Sequence, residues 1–251
     1  MKSGRSRYYG HRFPPEIIGY AIWVYHRFCL SFRDVEDLLA ERGIIVSYET
    51  IRIWCQKFGP GYARSLKRRQ GRLGDTWHLD EVFIRINGQQ YYLWRAVDQD
   101  GDVIDILVQP RRDQRAAERF FRRLLRGQGK EPFRIVSDKL GSYSAALRTI
   151  LSEVSHSTER YANNRAEVSH QSTRQRERQM RRFKSAGQAQ RFLSLHGVIL
   201  NLFRTGRHLL KATHYRLLRL RSFAIWQAAT AALSHFMTTN PTNPNDISRP
   251  S

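Results

Sequence analysis

Apolar positions recur every three or four residues up to about residue 60 and every second residue after Thr76, and that change of period divides the chain. In "PPEIIGYAIWVYHRF", Ile17, Ala21, Val24 and Phe28 predict a helix opening at Pro14. From Leu30 to Arg42, Ser31 reads as an N-cap, Val35, Leu38 and Leu39 as the apolar stripe, and Gly43 as the glycine after the last turn. Ser47 then caps "SYETIRIWCQKFG", which Gly59-Pro60 is expected to end. Two short capped helices around a glycine turn are the layout of a helix-turn-helix, with Tyr48, Glu49, Arg52 and Lys57 on the outward face of the second. An ordinary helical hairpin would show the same pattern. Residues 1–13 read as a flexible basic arm, 14–66 as this helical domain, and 67–75, rich in Arg and Gly, as a linker.

The period-2 half begins with Val82, Phe83, Ile84 and Ile86, turns at Asn87-Gly88 and returns through "QQYYLWRAV". "DQDGD" makes a second turn before a strand from Val103 to Val108. A helix follows, capped by Asp113, with Ala117, Phe120, Phe121, Leu124 and Leu125 on its apolar side. "PFRIVSD" reads as a short buried strand, "GSYSAALRTILSE" as a helix, 154–160 as a further strand, and the stretch from Arg165 to Leu233 as helical. Three antiparallel strands followed by alternating helices and strands predict an α/β domain with a mixed sheet, here assigned to residues 76–235. The polar, proline-bearing residues 236–251 read as a disordered tail.

Charge sharpens this picture. Lys and Arg number 43 against 22 Asp and Glu, a net charge of +21. Such an excess opposes compaction unless a polyanion meets it. From Val168 to Ser222 there are thirteen Lys or Arg and one acid, Glu177, a density that points to nucleic acid. No apolar run approaches the ~20 residues of a membrane span, and the N-terminus lacks a signal-peptide core. The expectation is a cytoplasmic, nucleoid-associated protein whose two cysteines, Cys29 and Cys55, are reduced core thiols.

Against that background three acids stand out. Asp80 heads the first strand, and alternation puts it on the face of Val82 and Ile84 and Glu81 on the other. Asp138 ends "RIVSD", although an N-cap would look the same. Glu167 lies near the start of a helix whose same face carries His170, Gln171, Arg174 and Arg178. Carboxylates alone repel a phosphodiester. They serve it with Mg²⁺ between them, since that ion takes one or two carboxylates together with phosphate oxygens. Surrounding Arg and Lys then hold the backbone.

The motifs "WHLDEVFIRING", "YYLWRAVDQDG", "SDKLGSY" and "NNRAEVSHQSTRQRERQMRRFKS" together resemble bacterial insertion-sequence transposases of the DDE type, most closely the insertion sequence six family. The likeness runs from "LLAERGIIVSYETIRIWCQKFGP" to "AQRFLSLHGVILNLFR". It implies an N-terminal helix-turn-helix and a ribonuclease-H-like catalytic core. By motif, Asp80, Asp138 and Glu167 would be the catalytic, metal-holding acids, with two Mg²⁺ ions, or Mn²⁺ in their place. Arg174, seven residues after Glu167, would contact DNA phosphate, with Lys139, His170 and Arg178 beside it and Tyr48, Arg52 and Lys57 on the recognition helix. Trp77 and His78 would line the site, or Trp77 would simply pack in the core. The resemblance implies binding of double-stranded DNA at the element's terminal inverted repeats, nicking and strand transfer to a target. Joining two ends implies a homo-oligomer in the synaptic complex. The competing readings are a ribonuclease-H-like nuclease without joining activity and a catalytically inactive DNA-binding protein.

Overall fold

The computed structural model describes residues 7–71, 73–138, 141–159, 164–180, 182–204 and 209–231; for 164–170, 172 and 231 the backbone alone is described. Residues 1–6, Lys139 and the expected tail at 236–251 lie outside this set. The elements are α1 (Pro15–Arg27), α2 (Phe32–Ala40), α3 (Tyr48–Arg69), β1 (Thr76–Ile86), β2 (Gln89–Asp98), β3 (Val103–Gln109), α4 (Gln114–Gln128), β4 (Arg134–Ser137), α5 (Gly141–Ile150), β5 (Ser155–Ser157), α6 (Asn164–Gln179), α7 (Ala186–Phe203) and α8 (Ala212–Ala231).

The strands form one mixed sheet in the order β3-β2-β1-β4-β5. β1, β2 and β3 are antiparallel neighbours, while β4 and β5 run parallel to β1. This is the ribonuclease-H-like arrangement. Asn87 and Gly88 both take positive φ, 50° and 79°, as a two-residue hairpin requires. That turn sets Ile86 opposite Gln89 and fixes every pair behind it. At the far end of the hairpin the buried Asp98 accepts from the backbone N–H of Asp100 and Asp102 and of Gly74, which shapes the turn into β3.

Each sheet face has its own core. Trp77, Leu79, Trp94 and Ile104 pack under α4 and α5, with Phe120, Phe121 and Tyr143. On the other face Val82, Ile84, Leu93 and Ile106 join α7, α8 and the N-terminal helices. The apolar core of α1–α3 is thus continuous with that of the sheet. Asp113 and Ser185 cap α4 and α7, and Ser31 forms a reciprocal capping box with Asp34.

Four expectations need correction. Helix α3 does not stop at Gly59-Pro60; it runs through to Arg69. Proline inside a helix costs roughly 3 kcal/mol, but the turns beyond it bury Tyr62, Ala63 and Leu66 against α7 and α8, which offsets that cost. The basic stretch expected as a linker therefore begins inside a helix, and Lys67 pairs with the buried Asp105 at 2.6 Å. The described part of the N-terminal arm is packed rather than free: the Tyr8 hydroxyl donates to the Thr230 carbonyl and lies 2.6 Å from that of Tyr62, and His11 lies 2.7 Å from Lys57. On α1 Ala21 and Val24 are buried as expected, together with Ile18, Ile22 and Tyr25, while Phe28 and Cys29, just past the helix end, are exposed. Both cysteines are free thiols.

Candidate active site

Parallel pairing of β1 with β4 ends at Leu79 opposite Ser137. The next residue on each strand is an acid, so Asp80 and Asp138 emerge side by side where β4 stops. Carboxylate oxygens of Asp80, Glu81 and Asp138 all lie within 4.8 Å of one another. Alternation holds as expected: Asp80 shares its face with Val82 and Ile84, and Glu81 points to the opposite core. Sequence reasoning missed that Glu81 still reaches the same corner, because β1 is uncovered there. The donor set of three carboxylates suits a hard divalent cation.

Glu81 is held differently from its neighbours. Its side chain is only 2% exposed and accepts from Arg112 Nε at 2.7 Å. Arg112 also approaches Asp138, at 3.9 Å. Burial, then the charge of Asp138, push the Glu81 carboxyl up to about 7. Behind Asp138, the Ser137 hydroxyl donates to the Asp138 carbonyl at 2.9 Å and lies 2.8 Å from His156 Nε2 on β5. Trp77 is wholly buried and donates to the Gly74 carbonyl, so it is a core residue; His78 is 7% exposed.

Across β1–β2, Asp80 faces Arg95. Arg95 is 4% exposed and donates to Thr173 Oγ1 on α6 at 3.0 Å. Burial pulls its guanidinium down to about 10, and the nearby charge of Asp80 opposes that shift. Helix α6 lies over β1 and β2 and carries Glu167 in its first turn. The side chains of Glu167 and His170 lie outside the described residues. Gln171, Arg174 and Arg178 are exposed on one side of α6. Arg176 is buried on the other, stacked on Tyr25 at 4.7 Å and donating to the carbonyls of Tyr25 and Leu30. One of the thirteen cations of this region therefore serves the fold.

On α3, Tyr48, Glu49, Arg52 and Lys57 lie on the solvent side, as expected. Arg52 is paired with Glu49, one turn earlier. Arg112 and Arg95 were the further functional candidates absent from the sequence reading. Arg95 was legible, since an Asn87-Gly88 hairpin sets it opposite Asp80; Arg112 had no local signal.

Residues 74–206 match a DDE domain family of IS240-type transposases. The transposase for insertion sequence-like element IS431mec of Staphylococcus aureus is 32% identical over 164 residues, covering 63% of this chain and 73% of that one. The transposase of IS257 in transposon Tn4003, also from Staphylococcus aureus, is 31% identical over the same length and shares. Among solved structures, the Mos1 transposase catalytic domain is 15% identical over 69% of this chain and 93% of that one, with a TM-score of 0.40. On the family match over residues 74–206 and the likeness to the two staphylococcal transposases, the chain belongs to the DDE transposases of bacterial insertion sequences, in the insertion sequence six family.

Proposed function

We propose that Asp80 and Asp138, completed by Glu167 from α6, form the reacting centre for nicking the ends of an insertion sequence and joining them to a target. The observation that carries this reading is the meeting of Asp80 and Asp138 at the end of β4, in a chain of net charge +21. These acids would hold two Mg²⁺ ions, or Mn²⁺, whose chemistry is to lower the pKa of a nucleophilic oxygen and to offset charge on the leaving one. The protein's own part is positioning. Arg174 and Arg178 hold the phosphate backbone on the exposed side of α6, with Lys139 and His170 as further DNA contacts. Arg112 keeps the Glu81 carboxylate in place beside Asp138.

Two displacements follow one another. Water adds to a phosphorus at the element end, the P–O3′ bond breaks, and a 3′-hydroxyl and a 5′-phosphate result. That hydroxyl then adds to a target phosphodiester, whose own 3′-oxygen leaves. One bond forms and one breaks in each step, with no covalent enzyme intermediate. The helices α2 and α3, through Tyr48, Arg52 and Lys57, would bind the terminal inverted repeats, and joining two ends calls for at least a dimer.

The test is end-containing duplex DNA with Mg²⁺, comparing the native chain with Asp80→Asn, Asp138→Asn and Glu167→Gln. Joined products from the native chain alone, with DNA binding retained in all four, are expected. Joining by any of the three variants at native rate removes that residue from the centre, and cleavage without joining by the native chain points to a nuclease.

A further inference from the structure

The face of β1–β2 that carries Glu81 continues outward in rungs. Glu81 pairs with Trp94, Phe83 with Tyr92, and Arg85 with Gln90. Trp94 is fully buried under α4, but one rung further out Phe83 is 58% exposed. Its ring meets that of Tyr92 at 5.4 Å and 58°. The Arg112 guanidinium lies 5.7 Å from the Phe83 centroid, and Arg112 is the residue that also touches Glu81 and approaches Asp138. Gln90 holds the Tyr92 hydroxyl at 2.9 Å. β4 pairs with β1 only from Thr76 to Leu79, so among the described residues no strand pairs with this edge of β1 beyond Leu79.

We infer that Phe83 and Tyr92 form a stacking platform for an unpaired DNA base a few nucleotides from the reacting phosphodiester; this rests on Asp80 and Asp138 being the reacting centre. Two things select a base as the occupant. The aromatic pair is flanked by Arg112 and Arg85 on a strongly cationic chain, and aromatic rings interleaved with cations hold single-stranded nucleic acid through its bases and phosphates. The distance also fits. Strands rise about 3.4 Å per residue, so Phe83 lies roughly 10 Å along β1 from Asp80. That is about three base steps of DNA at 3.4 Å each. A base inside the duplex has both faces covered, so the platform takes one that has left the stack. Stacking accepts any base, so this site adds affinity and registers the strand without reading sequence.

The test uses duplexes from the ends of the element that encodes the chain, with 2-aminopurine placed in turn at each of the positions flanking the cleaved bond. In the native protein one position is expected to change its fluorescence on binding, and Phe83→Trp should keep that change while Phe83→Ala loses it. Phe83→Ala should weaken binding about 5- to 150-fold, the effect of one stacked base. On duplexes lacking the base at that position, native and Phe83→Ala proteins should bind alike. Because Phe83 is exposed, its melting temperature should stay unchanged. The inference is overturned if Phe83→Ala binds intact ends within twofold of native. It is equally overturned if its loss persists on every abasic duplex, or if the variant changes the sedimentation of the free protein, the mark of a protein–protein contact. Asp138→Asn separates the two proposals. It should keep the fluorescence change while losing chemistry, and full chemistry in that variant would dismiss the reacting centre and leave the stacking result standing.

Discussion

Arg176 is a cation in the most basic part of the chain, yet it is placed to hold the fold and not DNA. Its guanidinium is 2% exposed and donates to the Tyr25 carbonyl at 2.8 Å and the Leu30 carbonyl at 2.7 Å. Tyr25 lies in the last turn of α1, where carbonyls lack helical partners and the helix dipole favours a cation. The ring of Phe192 on α7 lies 5.3 Å from the same guanidinium. Arg176 thus joins α6 to α1, to the turn before α2 and to α7. Arg176→Met keeps most of the volume but leaves two buried carbonyls unpaired, at roughly 1–3 kcal/mol each. Arg176→Ala adds a cavity and should cost about 3–5 kcal/mol. At about 2–4 °C per kcal/mol for a chain of this size, melting should fall by roughly 6–20 °C. Urea unfolding followed by tryptophan fluorescence measures the first figure and calorimetry the second. DNA binding supplies the contrast: Arg176→Met should leave the slope of log affinity against log salt unchanged, while Arg174→Ala should reduce it by about 0.9, one phosphate contact. A stability loss under about 1 kcal/mol, or a salt slope that falls in Arg176→Met, would show that the side chain is spent on DNA after all.

Other outcomes follow from the same structure. Arg95→Met removes the bond to Thr173 and the cation facing Asp80. It should lower strand transfer at limiting Mg²⁺ more than at saturating Mg²⁺, with Arg95→Lys recovering part; equal losses at both would mean a purely structural role. His26 and His196 are buried and neutral, pulled down by burial to about 3 and about 4. Their folded values lie below the unfolded one near 6.5, so their contribution is complete above that pH and is lost as pH falls towards 4. The loss should be roughly 2–3 kcal/mol per pH unit for two protons, read by urea titration at pH 7, 6 and 5. Glu81 shifts the other way, to about 7, so native stability should fall as pH rises from about 4.5 to 7, and Glu81→Gln should flatten that part of the profile. Asp105→Ala leaves Lys67 and Arg123 without their shared partner and should lower melting by several degrees, with the paired loss in Lys67→Met smaller than additive.

What could be read from the chain depended on how local the cause was. The hairpin was legible because Asn87-Gly88 alone dictates a two-residue turn, and that turn fixes Asp80 against Arg95 seven pairs away. The caps at Ser31, Ser47 and Asp113 were legible for the same reason, each being satisfied within three residues. Pro60 misled because its local cost was visible and the compensating burial of Tyr62 and Leu66 against α7 and α8, more than a hundred residues away, was not. Lys67 and Arg176 misled in the same way: one was placed in a linker and the other counted among cations pointing to nucleic acid, and each is paired inside the protein with a group from a distant element.

Glu81 shows the limit most clearly. Strand alternation correctly turned it away from Asp80, and on that ground alone it should have no part in the centre. Alternation, however, separates side chains by face only while both faces are covered. Here β4 ends one residue short of the acids, so the two faces of β1 open onto one corner, and a carboxylate from either side can reach it. Arg112 turns that accident of sheet geometry into an arrangement, since its Nε holds Glu81 while its Nη2 lies toward Asp138. The length of β4, which no pattern in "RIVSD" specifies, therefore decides whether the corner holds two acids or three. Two carboxylates already outweigh the single charge of Arg112; the third, when ionised, makes the corner more negative still and suits it to divalent cations.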